Sequence, residues 1–110
     1  MMRLVIAVVQ DQDSQKLSDH LVERGFRATK LASTGGFLKA GNTTFLIGVD
    51  QTQVEDVMGV IRESCQAREQ MLNPMNPLGN GVEPMVPYPV KVQVGGATVF
   101  VLDVETFAHF

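Results

Sequence analysis

Between residues 25 and 48 the chain gathers side chains suited to holding a ligand that is both anionic and aromatic. Arg27 is a planar fork of donors that matches phosphate oxygens. Thr29 sits two residues on, so in an extended chain its hydroxyl lies on the same side. Lys30 and Lys39 add positive charge nearby. Gly35-Gly36 and Gly41 bracket a short loop in which the backbone can approach a ligand closely and present its N–H groups. Phe37 can stack on a base and Leu38 can extend the apolar wall. Asn42 carries both a donor and an acceptor, as the edge of an adenine requires. A plain β-hairpin with a glycine-rich turn accounts for the same residues, and the spacing alone leaves both readings open. No Gly-Lys-Ser/Thr follows the glycines and there is no GxGxxG, so neither a Walker loop nor a dinucleotide fingerprint is present.

Catalytic chemistry finds less support. Neither His20, within a helical stretch, nor His109, near the C-terminus, adjoins a Ser or Cys nucleophile arrangement, and both read as surface or packing histidines. Cys65 falls on an apolar helical stripe and reads as a small core residue. Asp11 and Asp13 form a carboxylate pair after a strand. Such a pair can hold a metal, but helix capping accounts for it without one. Met71, Met75 and Met85 read as loop packing. The expectation is a binding protein that is not an enzyme and carries no cofactor or metal.

These residues need elements to position them. Residues 3–10 are a nearly continuous Val/Ile-rich run, suited to a central strand covered on both faces. Asp11-Gln12-Asp13-Ser14 offers capping oxygens for a helix over about 14–24, where Leu17 and Leu21 share a face and Gly25 supplies the permissive C-terminal backbone. A strand over 26–33 places Arg27 and Thr29 on one face of the sheet. The loop 34–42 leads to a third strand over 43–49. Thr52-Gln53-Val54-Glu55 has the spacing of a capping box. Val54, Val57, Met58, Ile61 and Cys65 then form one apolar helix face. Residues 67–89 hold all five prolines and read as a long loop. Two runs, 90–94 and 97–101, flank Gly95-Gly96 and spell a hairpin.

Strand, helix, strand, strand, helix and hairpin make an α+β chain. The expected fold is ferredoxin-like, βαββαβ with an added C-terminal hairpin strand, an antiparallel sheet carrying both helices on one face. Its other face needs cover, which points to oligomerisation. At 110 residues the chain is expected to form one domain, 1–110. A net charge of −3 with scattered basic residues argues against binding a nucleic-acid polymer. One cysteine excludes an internal disulfide framework. The apolar run 4–9 is too short to cross a membrane and lacks the marks of a signal peptide, so a soluble cytoplasmic protein is expected.

Seven strings resemble those of the PII-like cyclic-di-AMP receptors, in order along nearly the whole chain. They are Val9-Gln10-Asp11-Gln12-Asp13, Phe26-Arg27-Ala28-Thr29-Lys30-Leu31-Ala32, Thr34-Gly35-Gly36-Phe37-Leu38, Gly41-Asn42-Thr43-Thr44-Phe45, Arg68-Glu69-Gln70, Pro87-Tyr88-Pro89-Val90 and Val94-Gly95-Gly96-Ala97-Thr98-Val99-Phe100. The resemblance implies a PII-type homotrimer that binds cyclic-di-AMP in pockets between subunits and reorders the loops at about 34–42 and 67–89 to signal to an unidentified downstream protein. It implies that Arg27 and Thr29 contact phosphate, that Gly36, Phe37 and Leu38 hold an adenine, and that Asn42 and the Gly48 backbone read a base edge. At two of the implied ligand positions this chain departs from the family: Gly25 stands where Asn is common, and His109 where Gln is common. The stretch 79–85 also differs from the usual pattern. ATP or ADP, as in true PII proteins, is the alternative ligand, and the short loop at Gly36 argues against it.

Overall fold

The computed structural model describes residues 1–32, 41–72 and 90–110. The first strand, β1 (Met2–Gln10), runs into α1 (Asp11–Glu23), followed by β2 (Ala28–Ala32) and β3 (Asn42–Asp50). A 3-10 turn (Gln51–Gln53) leads into α2 (Val54–Cys65), and then come β4 (Arg68–Leu72), β5 (Val90–Val94) and β6 (Ala97–Asp103). Four strands form one antiparallel sheet in the order β2-β3-β1-β6, and β4 pairs with β5 as a separate antiparallel ribbon. The four-stranded order with its two crossover helices is the ferredoxin-like arrangement that the element order predicts.

Alternation along β1 and β3 decides what is inside. Val5, Ala7 and Val9 of β1 face the helices, with Phe45, Ile47 and Val49 of β3 beside them, and all six are buried. Leu17 and Leu21 of α1 and Val57, Val60, Ile61 and Cys65 of α2 close over them in a single cluster. Full burial of each large side chain stabilises the fold by about 1.5–3 kcal/mol. The stripe read from spacing on α2 is present, but Val60 and Ser64 are buried with it, so the covered face is wider than that stripe.

The opposite sheet face is apolar and only partly covered. Leu4, Ile6, Val8 and Leu46 are half-buried, while Leu31, Phe100 and Leu102 beside them are exposed. β1 is therefore fully covered on the helix side alone, not on both faces as its continuous apolar run suggests.

Helix ends depart from expectation in an informative way. α1 starts at Asp11 itself, and its N-cap, Gln10, makes no side-chain capping bond. The two aspartates bond elsewhere. Asp11 accepts a hydrogen bond from the Thr43 hydroxyl at 2.5 Å, and the buried Asp13 pairs with Arg68 at 2.9 Å. Their charge still favours the positive end of the helix dipole. The Thr52-to-Glu55 capping box does not form, because Asp50 caps first: its carboxylate accepts from Thr52 N–H at 2.9 Å and from the Thr52 hydroxyl at 2.7 Å, and this tightens the entry into a 3-10 turn. The far end of α1 behaves as read. Gly25, at φ +81°, donates to the Val22 carbonyl, and Phe26 N–H donates to the Leu21 carbonyl. This is the Schellman pattern, with Phe26 and Leu21 both buried behind it.

The C-terminal pairing differs more. β5 and β6 do not form a hairpin across Gly95-Gly96. Each pairs with another strand, β5 with β4 and β6 with β1. Residues 68–72, read as the start of a loop, form that β4 partner. The glycines, at φ +81° and +92°, turn the chain out of the ribbon and into the sheet rather than folding two strands on each other. Among their neighbours, a Cβ on Gly95 would lie 2.5 Å from Arg68 Nη1 and 2.6 Å from the Gln66 carbonyl oxygen.

Two expectations follow. A Gly95→Ala substitution adds positive-φ strain and a collision with backbone oxygen, and should lower stability by about 2–4 kcal/mol, read from the urea midpoint. A midpoint equal to the parent's means the turn relaxes freely. Asp50 provides the second. The hydrogen bond from the Thr52 hydroxyl, then that from Thr52 N–H and the N-terminal ammonium, hold its carboxyl down to about 2 against an ordinary 3.8. A depressed carboxylate stabilises the fold above its unfolded value, and that contribution disappears as pH falls from about 4 to about 2. Asp50→Asn should therefore lower stability near neutrality, flatten the acid limb of the profile in that window, and bring the two proteins together below about pH 2. A variant whose acid limb matches the parent's would exclude Asp50 as a contributor.

Candidate functional site

Three of the positions singled out in the sequence lie together. Arg27 immediately precedes β2, Thr29 lies within it, and both side chains are exposed. The register sets Thr29 opposite Leu46 and Ala28 opposite Ile47, so Thr29 is on the open sheet face, away from the helices. Gly48 lies two residues beyond Leu46 on the same strand and face, opposite Leu4. The parity that places Thr29 was legible in the sequence. Lys30, with opposite parity, turns to the helix side, where its ammonium stands 5.9 Å from the Phe45 ring centroid. That distance suits a cation–π contact, so Lys30 does not join Arg27 in lining the open face.

Among the described residues, a Cβ on Gly48 would meet only the flexible end of Met2, at 3.2 Å. Folding therefore makes little demand for glycine at this strand position. Its bare backbone leaves the rim of the open face accessible beside Thr29. Gly25 is the opposite case: the helix end demands the positive φ it adopts. Asn is the other residue that visits this conformation readily, so the Asn common in similar sequences meets the same backbone requirement.

Other positions are not brought together within one chain. Asn42 opens β3, half-buried and opposite Gln10, six residues from Gly48. At about 3.4 Å per residue these two positions are about 20 Å apart. His109 follows β6, at the sheet edge opposite to β2, and it is exposed. Three strand spacings of about 4.8 Å separate those edges, about 14 Å. Gly36, Phe37 and Leu38, together with Lys39, lie outside the described residues, as do Met75 and Met85.

The other groups considered for chemistry are taken up by the fold. His20 Nδ1 lies 2.8 Å from the Ser64 hydroxyl and ties α1 to α2. Cys65 is buried, and burial first, then the negative charge of Asp13, push its thiol up to about 11. Such a thiol is protonated at neutral pH and a poor nucleophile. Asp11 and Asp13 are each engaged by a different neighbour, and among the described residues no three His, Cys, Asp or Glu side chains converge on a metal position. A shallow groove of about 340 Å³ between α2 and β6 is lined by Met58, Ile61, Arg62 and Val99 among others. It opens on the helix side of the sheet, not beside Thr29. Among the described residues no helix is long and apolar enough to cross a membrane.

What sequence reasoning missed is the partnership of Arg68 with Asp13 and of Gly95 with Gln10, whose Oε1 accepts the Gly95 N–H at 2.7 Å. The residues lie 55 and 85 positions apart, so local spacing carries no sign of either bond. The available signal was that all four lie within the strings quoted above.

Comparisons with known proteins agree with this arrangement. The family model described as "Cyclic-di-AMP receptor" matches residues 2–110. A crystal structure of a functionally unknown protein from Pediococcus pentosaceus is 47% identical, with 99% of this chain and 97% of that one covered and a TM-score of 0.77. Arabidopsis thaliana PII bound to citrate shares the fold at 22% identity, with 94% and 74% covered and a TM-score of 0.60. A DUF3240 family protein from Shewanella baltica is 14% identical, with 99% and 96% covered and a TM-score of 0.55.

Proposed function

This chain belongs to the cyclic-di-AMP receptor family, and we propose that it is a cytoplasmic, non-enzymatic receptor whose ligand is cyclic-di-AMP. The observation that carries the reading is the family match over residues 2–110. The exposed pair Arg27 and Thr29 on an open sheet face supports it with suitable chemistry. Arg27 supplies the guanidinium fork for a phosphodiester, and Thr29 donates a hydroxyl beside it. Gly36, Phe37 and Leu38 hold and stack an adenine, while Asn42 and the Gly48 backbone meet base edges. Gly25 and His109 flank these contacts and adjust them relative to the Asn and Gln of similar sequences.

The separations along one chain favour pockets built between copies. Arg27, Thr29 and Gly48 share one end of the open face, Asn42 stands about 20 Å away along β3, and His109 follows the far edge. A ligand that touches members of both groups is reached more readily by two neighbouring chains than by one. The half-covered apolar face, with Phe100 52% and Leu102 48% exposed, is the kind of surface a subunit contact removes from water. A homotrimer satisfies both requirements. Ligand binding then reorders the loops at about 34–42 and 67–89, and a downstream protein reads the change.

Isothermal titration with cyclic-di-AMP, and with ATP and cyclic-di-GMP in parallel, tests the reading. Selective binding of cyclic-di-AMP at one molecule per subunit is expected. Binding of ATP alone would overturn the assignment and leave a PII-type nucleotide sensor. Arg27→Ala should weaken cyclic-di-AMP binding by about 1.5–3 kcal/mol, about 10- to 150-fold, because a charge-assisted contact is lost. Unchanged affinity in that variant would remove Arg27 from the site.

A further inference from the structure

We propose that the turn joining β1 to α1, Gln10-Asp11-Gln12-Asp13, is a positioning element that couples the start of β3, where Asn42 stands, to the β4–β5 ribbon. The ligand half of this inference rests on the receptor reading above.

Four residues of this turn and its flanks hold three separate segments. On one side Asp11 N–H donates to the Gly41 carbonyl at 2.9 Å, the Asp11 carboxylate accepts from the Thr43 hydroxyl, and Gln10 stands in register with Asn42. The residues on both sides of Asn42 are thus tied to Asp11, Gly41 through its carbonyl and Thr43 through its hydroxyl. On the other side Gln10 Oε1 accepts the Gly95 N–H, and it also accepts from Gln12 Nε2 at 3.3 Å. Asp13 receives Arg68 at both carboxylate oxygens, Nη2 at 2.9 Å and Nη1 at 3.4 Å. Arg68 is the first residue of β4, and Gly95 is the residue after β5. Both roots of the ribbon are therefore held at one junction, by Gln10 and by Asp13 three residues on.

Among the described residues the ribbon has little else to hold it. Arg68, Glu69, Gln70, Met71, Lys91 and Gln93 are exposed, and none of its described side chains is buried. Its strands pair with each other and with no strand of the main sheet. An isolated two-stranded ribbon is marginal in water. Its orientation therefore depends on the contacts at its roots, namely Arg68 to Asp13, Gly95 to Gln10, Gly96 N–H to the Cys65 carbonyl and Arg68 Nη1 to the Gln66 carbonyl at 3.0 Å. These bonds are directional, so they set angle as well as proximity. Asp13 is a charged group 3% exposed, in the first turn of a helix where no local bond requires it. Its service to Arg68 accounts for that position. A shift of the backbone at Asn42 is passed through Gln10 and Asp11 to Gly95 and Arg68, and so reorients the ribbon.

Hydrogen–deuterium exchange on the full chain tests this with two variants. Gln10→Ala removes one acceptor, and Asp13→Asn removes charge while keeping shape. Without ligand, amides 68–72 and 90–94 should exchange about tenfold faster in each variant, while amides of β1 and β3 keep the parent's rates. With cyclic-di-AMP, ribbon exchange should slow in the parent and slow less than half as much in the variants, although titration keeps their affinity within about threefold of the parent's. Ribbon exchange equal to the parent's in both variants would overturn the clasp. Tight binding that leaves the parent's ribbon unchanged, or slows it equally in the variants, would overturn the coupling. A parent chain that binds no cyclic-di-AMP would overturn the receptor reading and the ligand half with it, while the ligand-free comparison still decides the clasp.

Discussion

The double pairing of β1 is the constraint on which the rest of the structure depends. Met2 to Gln10 is bonded to β3 along its whole length and to β6 along most of it, so one strand sets the register of both neighbours. Side chains alternate with a period of two, and a slip of one residue would exchange the two faces of the sheet. Val5, Ala7 and Val9 would then turn away from the helices, and Thr29, Gly48 and the apolar rim would turn toward them. The core and the candidate site thus follow from a single register. The cost of exposing three buried aliphatic positions specifies it.

The two faces of this sheet do different things. The helix face is closed by Leu17, Leu21, Val57, Val60 and Ile61, and it holds Cys65 in the core and His20 against Ser64. The open face is lined by aliphatic and aromatic side chains along β1 and β6, with Thr29 and Gly48 at its margin. The helix side thus occupies Cys65 and His20 in packing, while the open side leaves a hydroxyl, an arginine and bare backbone at the edge of an apolar surface. The apolar surface and the polar margin also share one face, so an assembly that covers the first brings neighbouring chains to the second.

Polar contacts govern the ribbon for a different physical reason. Apolar packing is tolerant of angle, whereas an arginine fork on a carboxylate and an amide N–H on a glutamine oxygen are not. β4 and β5 contribute no buried side chain among those described, so direction rather than burial sets where they point. Gly95 shows how tight the fit is, since even a methyl group would meet Arg68 and the Gln66 carbonyl.

The sequence by itself determined whatever depends on near neighbours or on period. Alternation in β2 placed Arg27 and Thr29 on one face of the sheet, the 3-and-4 spacing of Val54, Val57, Met58 and Ile61 placed α2, and Gly25 ended α1. The order of these elements was enough for the ferredoxin-like architecture, and the quoted strings were enough for the family. Tertiary structure alone decided which partners distant groups take. The Asp11 and Asp13 carboxylates had local backbone N–H groups to cap, yet Thr43 and Arg68 took them. Asp50 capped ahead of Thr52. Gly95-Gly96 had the form of a hairpin turn, but β4 and β1 took the two strands it joins. Such choices are competitions between a local bond and a remote one. Sequence spacing displays only the local competitor, so the remote one becomes visible when the sheet has brought it within reach.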